Sequence, residues 1–211
     1  MTGVLLALLL GGGCTILPAP GAPLAAVSDS LGALYTSGKT WKQFFDGAKS
    51  RREMWKGNFE RGEPDAELVE RARAVAGSWK ILAVAEDWCG DSANTVPYLV
   101  RLTEQVPSIE IRIVNSKDGQ WVMAQHRTAD GRTATPTILL LDGGFGERGC
   151  IVESPAKLRA WVVVNKSKLS DDDYHTQKMA WYKADRGRET VRDLVEALEA
   201  AAQGTTKCAG R

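Results

Sequence analysis

Metal-binding side chains are scarce in this 211-residue chain: it has two histidines and four cysteines. Cys14, Cys89, Cys150 and Cys208 fall in no metal-ligand spacing, and neither His126 nor His175 has a partner placed for metal or catalysis. No metal and no cofactor is expected, and both histidines are read as surface or half-buried. Charge of one sign is lacking too. Lys and Arg total 27 against 26 Asp and Glu, a formal net charge of +1, so nothing points to nucleic acid or to an acidic partner surface. Long apolar runs are missing: none reaches the ~18 residues of a membrane-spanning helix. What remains is 44% hydrophobic and 25% charged, a globular composition able to bury a sizeable core. The length suits one domain with decorations, read as a monomer.

The chain is organised around residues 80–97. An apolar run over residues 81–85 reads as a fully buried strand and stops at Glu86-Asp87. Trp88-Cys89-Gly90-Asp91-Ser92 follows, and then Val96, Leu99, Val100 and Leu102 are spaced to make one helical face. Cys89 therefore sits at a strand-to-helix junction, where free N–H groups and the helix dipole favour a thiolate. The dipole is worth roughly 0.3–1 kcal/mol, up to ~2 when partly buried. Asp91 opposes it, because a neighbouring carboxylate disfavours a second negative charge. Asp91 equally suits the helix N-cap, and Ser92 either donates to the sulfur or completes the cap. Glu86 and Asp87 are read as solvated, either one able to shuttle a proton. The bland alternative for Cys89 is a buried, inert thiol.

Trp88-Cys89-Gly90-Asp91-Ser92 after a central strand, with Thr135-Pro136-Thr137 leading into an apolar strand at 138–141, resembles the thioredoxin superfamily. Residues 86–92 with Pro97, 131–137, 155–161 and 181–187 most resemble a bacterial group of thioredoxin-like proteins carrying Trp-Cys-Gly-Asp. The likeness covers residues 40–201. It implies an α/β thioredoxin fold, a central mixed sheet flanked by helices, with additional helices at both ends. It also implies a cis bond before Pro136, and a substrate-binding surface made by Trp88, Gly90, Thr135 and Pro136. Two parts of the dithiol machinery differ. Ser92 stands where the resolving cysteine would be, and a hydroxyl cannot form the S–S bond. Ala83 stands where a buried carboxylate commonly serves that second thiol. The implied catalytic set is Cys89 with Ser92 and Asp91, acting as a monothiol.

Residues 1–26 are compositionally separate. A short apolar core at residues 4–10, then Gly11-Gly12-Gly13-Cys14 and a Pro/Ala/Gly stretch, resembles a lipoprotein signal with Cys14 as the lipidated residue. The expectation is export, as a membrane-anchored lipoprotein or in the periplasm, with residues 15–37 as a flexible tether. The alternative is a cytoplasmic protein with an extended N-terminus. Residues 27–77 read as a helical extension, 78–165 as the thioredoxin-like core, and 166–211 as a C-terminal helical extension with a frayed tail. Within the extension Trp41, Phe44, Phe45, Met54 and Trp55 are expected to pack on the sheet, and Pro64 to open a helix at 65–76. In the core, 109–114 reads as a strand and 118–127 as a helix. Residues 138–141 and 148–152 read as a hairpin, with Cys150 as a packed strand cysteine, and Pro155 as the start of the last superfamily helix. Asp171-Asp172-Asp173 marks a helix start, 189–201 is a final helix, and Cys208 in the tail is read as incidental.

Three functions compete. A monothiol enzyme would exchange disulfides through Cys89, with a thiol- or disulfide-bearing protein or a low-molecular-weight thiol as partner. A non-catalytic module would bind an extended peptide or partner at the Pro136 loop. An iron–sulfur carrier is suggested by the nearness of Cys-Gly-Asp-Ser to the Cys-Gly-Phe-Ser of monothiol glutaredoxins, but Trp88 and Asp91 argue against it.

Overall fold

The computed structural model describes residues 24–209. Five strands, β1 (Trp79–Val84), β2 (Ile109–Val114), β3 (Thr137–Leu141), β4 (Glu147–Val152) and β5 (Lys207–Ala209), form one mixed sheet in the order β2-β1-β3-β4-β5. β1 runs parallel to β2 and antiparallel to β3, β3 and β4 form the expected hairpin, and β5 lies parallel to β4. Along β1, Trp79, Ile81 and Ala83 enter one apolar cluster while Leu82 and Val84 enter the other. A strand covered on both faces has no polar side to show, which is why this one reads as an unbroken apolar run.

Among the described residues four helices precede β1: α1 (Leu24–Ser37), α2 (Trp41–Gly47), α3 (Arg52–Glu60) and α4 (Ala66–Ala74). α5 (Gly90–Ala93) and α6 (Val96–Gln105) connect β1 to β2, and α7 (Gln120–Gln125) precedes β3. After the hairpin come α8 (Ala156–Asn165), a short 3-10 turn, α9 (Asp171–Asp185) and α10 (Arg188–Ala202). Residues of α3, α4, α6 and α10 cover one face of the sheet; residues of α1 and α7 cover the other. This is the α/β architecture expected, with helices added at both ends. The aromatics of the extension also pack as expected: Trp41 stacks on Phe59 with centroids 5.0 Å apart, and Trp55 is fully buried in the sheet-facing cluster.

Several expectations are corrected. The segment expected to tether the domain up to residue 37 is helical from Leu24, because Leu31 and Tyr35 are buried against the sheet and Tyr35 meets Phe145. Cys14 and the rest of the leader lie outside the described residues. Among the described residues, no helix is long and apolar enough to cross a membrane.

The helix opened by Pro155 is not the one that covers the sheet. α8 buries only Leu158, whereas α10 buries Val191, Leu194, Val195, Ala197 and Leu198 against β3, β4, β5 and α4. The α8–α9 segment is thus an excursion between the hairpin and its covering helix. His126 is buried rather than half-exposed, its Nδ1 2.8 Å from the Val122 carbonyl and its Nε2 2.8 Å from Glu147 Oε1. Two such partners satisfy both ring nitrogens away from water.

The tail is not frayed at Cys208. β5 takes the outer edge of β4 in a register that sets Cys208 opposite Cys150, and the two form a disulfide across 58 residues. Cys150 is therefore neither a free packed thiol nor available to resolve Cys89. At the opposite edge, Lys39 exchanges backbone hydrogen bonds of 2.8 and 2.9 Å with Ile113 of β2. One edge of the sheet is thus the three-residue strand β5 and the other carries a bridge at Ile113; a very short edge strand and a partly covered one are both poor templates for edge pairing.

Candidate functional site

β1 delivers the chain to Ala85, and the Glu86-Asp87-Trp88 loop turns it into α5 with Cys89 at the N-cap. The Cys89 thiol donates to the Thr135 carbonyl at 3.1 Å, and its sulfur accepts from the Ser92 N–H at 3.4 Å. The Thr135–Pro136 peptide bond is cis, as the resemblance implied. The loop before β3 therefore lies directly against the cysteine. Cys89 is 9% exposed and, among the described residues, the one free cysteine. Trp88 beside it is 59% exposed, Gly90 and Thr135 are half-buried, and Pro136 is buried.

The helix following the motif is not continuous. α5 is a single turn, and Asn94-Thr95 separate it from α6; the Asn94 side-chain amide donates to the Gly90 carbonyl at 2.8 Å. The macrodipole expected at Cys89 is correspondingly small, since aligned peptide units are what build it. What the turn supplies is one N–H, that of Ser92. The Ser92 side chain neither caps the helix nor reaches the sulfur: it is fully buried and its hydroxyl has no hydrogen-bond partner among the described residues. Ala83 is fully buried within the apolar cluster.

The three carboxylates of the motif do not behave as expected from the sequence. Asp91 is not the cap. Its Oδ2 takes a 2.8 Å ion pair from Lys178 and its Oδ1 a 2.8 Å hydrogen bond from the Tyr182 hydroxyl, both on α9. Asp87 is half-buried and accepts from the backbone N–H groups of Lys49 and Ser50 at 2.6 and 3.1 Å. Glu86 accepts from the N–H and hydroxyl of Ser116 at 2.7 and 2.6 Å. Each is committed to holding a neighbouring segment. Burial alone would pull the Lys178 ammonium down, but the Asp91 charge and hydrogen bond outweigh it and hold Lys178 above its ordinary value. Burial, reinforced by the same carboxylate, pushes the Tyr182 phenol well above its own.

Sequence reasoning missed the residues that hold the motif from outside. Trp55 donates from its indole to the Asp87 carbonyl at 2.9 Å, and Arg51 donates from Nε to the Trp88 carbonyl at 2.5 Å. Asn58, buried, donates to the Ala93 carbonyl at 2.7 Å and to Asn94 Oδ1 at 3.0 Å, and accepts from the Tyr98 hydroxyl at 3.1 Å. The N-terminal extension thus grips the motif from one side and the α9 excursion from the other. Lys178 and Tyr182 are four residues apart, hence on one face of α9; this pairing was the one local signal available. Among the described residues, no group of three or more His, Cys, Asp or Glu side chains is placed to hold a metal ion.

A family profile described as thioredoxin matches residues 38–179 of the chain. No curated protein matches it. Among solved structures, the chain is similar to a protein of unknown function, PA1234, from Pseudomonas aeruginosa. That likeness has a TM-score of 0.62 and 20% identity, covering 80% of this chain and 96% of that one. An HIV epitope scaffold is similar at a TM-score of 0.63 and 19% identity, covering 80% of this chain and 97% of that one. At these identities both likenesses concern the fold alone.

Proposed function

The chain belongs to the thioredoxin family, and from that premise we propose that it is a monothiol protein that exchanges disulfides through Cys89. The observation that carries the reading is the contact between the Cys89 thiol and the Thr135 carbonyl beside cis-Pro136. It puts the one free thiol of the described residues at a loop whose backbone can pair with an extended substrate. The deprotonated sulfur attacks one sulfur of a substrate disulfide, forming a mixed disulfide and releasing the other sulfur as a thiol. An external thiol then attacks the substrate sulfur of the mixed disulfide and restores Cys89. The sum is disulfide interchange, with no net electrons supplied by the protein. Ser92 fills the resolving position without the sulfur to resolve, and Asp91, held by Lys178 and Tyr182, is a positioning residue. Trp88, Gly90, Thr135 and Pro136 make the substrate surface.

The test is trapping of mixed disulfides, and turnover with an external thiol, in the wild type and in Cys89→Ser. Abolished exchange with an unchanged fold is expected; equal turnover in the variant sinks the reading. The burial of Cys89 favours a second reading, a non-catalytic binding module. It takes over if the wild type shows no turnover and Cys89→Ser keeps partner binding. Export with lipid attachment at Cys14 belongs to the same proposal, and it predicts that Cys14→Ser leaves the membrane fraction.

A further inference from the structure

Arg51 brings to the motif a positive charge that has no ion-pair partner among the described residues, beside the carboxylates of Glu86 and Asp87, which are held by neutral donors alone. Glu86 is engaged by Ser116, Asp87 by Lys49 and Ser50, and Asp91 by Lys178 and Tyr182. Arg51 is exposed, and its hydrogen bond goes from Nε to the Trp88 carbonyl, which leaves the terminal guanidinium nitrogens unengaged. Its Cζ lies 4.0 Å from where a β-carbon on Gly90 would stand, so the charge sits over the residue that follows Cys89.

The backbone is arranged to put it there. Arg51 has φ 50° and ψ 25°, the left-handed region that disfavours residues bearing a side chain. The Asp87 carboxylate fixes that geometry by holding the two preceding N–H groups. An arginine fork matches a carboxylate in a planar, two-point fashion. The exposed Trp88 indole beside it offers an apolar face for the stem of such a ligand.

We propose that Arg51 determines specificity by receiving a carboxylate carried a few bonds from the reacting sulfur, so that Cys89 prefers low-molecular-weight disulfides bearing carboxylates. In the step concerned the Cys89–S bond to the carboxylate-bearing half forms and the substrate S–S bond breaks. The departing half leaves as a thiolate that takes up a proton from water. The kinetic part rests on the exchange reading; the binding part does not.

Three disulfides with the same two-carbon stem separate charge from size: 3,3′-dithiodipropionate, bis(2-hydroxyethyl) disulfide and cystamine. Mixed-disulfide formation at Cys89 of the full chain is followed by mass spectrometry at low ionic strength. Arg51→Gln is expected to slow the dicarboxylate about tenfold, or about 1.4 kcal/mol, with the neutral disulfide changed less than about twofold. Arg51→Lys should recover part of the rate. An equal loss with all three disulfides would mean that Arg51 acts on the thiol or the fold, and would overturn the proposal.

Binding is measured separately in Cys89→Ser, from amide shifts at Arg51 and Gly90 during titration with each disulfide. Selective, salt-sensitive binding of the dicarboxylate, lost on adding Arg51→Gln, is expected. If no disulfide reacts with the wild type but this binding persists, the exchange reading fails and the carboxylate site stands. If the dicarboxylate binds no better than cystamine, the proposal fails whatever the rates.

Discussion

Replacing Lys178 by Met should destabilise the protein by about 3 kcal/mol at neutral pH, without loss of buried volume. The side chains of Lys178 and Asp91 are 9% and 15% exposed, so their 2.8 Å pair lies largely out of water. Removing one partner of a buried pair typically costs 3–5 kcal/mol, because the other charge is left stranded. The lower end applies here, since the Tyr182 hydroxyl still donates to Asp91 and the carboxylate keeps some solvent. Methionine keeps an unbranched stem of similar volume at a position whose ammonium lies 6.0 Å from the Tyr174 ring centroid, so the loss is electrostatic rather than a cavity. Adding Asp91→Asn removes the stranded charge, and the double variant should recover about 2 kcal/mol relative to the sum of the singles. Urea unfolding followed by tryptophan fluorescence, at constant slope across the four proteins, gives the numbers. A single Lys178→Met variant within about 1 kcal/mol of wild type, or strict additivity in the cycle, would refute the reasoning.

Other perturbations test other parts of the fold. Cys208→Ser opens a loop closed across 58 residues and should cost up to about 4 kcal/mol by loop entropy, seen as a lowered Tm that reducing agent reproduces in the wild type. An unchanged Tm would mean that the cross-link adds nothing. Burial lifts the Asp185 carboxyl to about 6 from 3.8, so its favourable share of stability is present below pH 3.8 and is lost as pH rises to 6. Asp185→Asn should therefore gain about 1–2 kcal/mol on wild type between pH 4 and 7, the shift being discounted for partial solvent screening. A pH-independent difference would contradict this. Gly187→Ala sets a side chain at φ +79° with its Cβ 2.0 Å from Tyr98 Cγ, and should cost more than about 3 kcal/mol. Gly204→Ala, at φ +75° in open space, should cost only the backbone's ~1–2 kcal/mol, and equal losses in thermal unfolding would refute the packing argument.

Local pattern was enough for the central strands, the hairpin and the junction cysteine, whereas the place of the Thr135-Pro136 loop beside that cysteine was read from the family resemblance. Strand burial and turn chemistry are written in neighbouring residues: the run at 81–85 and the Gly-rich turn after Leu141 need no distant partner to be read. The amphipathic face of α10 was legible for the same reason. Which helix closes the sheet was not. α8 and α10 both follow the hairpin, and only packing shows that α10 buries its apolar face there while α8 buries Leu158 alone.

The site divides along the same line. Cys89, Trp88 and the absence of a second motif cysteine were determined by the sequence, because they are identities at fixed spacing. The environment of that cysteine was decided by contacts spanning tens of residues: Lys178 and Tyr182 on Asp91, Lys49 and Ser50 on Asp87, and Arg51 on the Trp88 carbonyl. A charged side chain in a sequence is equally compatible with a solvated surface and with a buried pair. The Cys150–Cys208 bond was hidden likewise, since only the parallel docking of β5 on β4 puts those two residues opposite each other. Electrostatics and cross-linking depend on distance in space, and distance along the chain does not encode it.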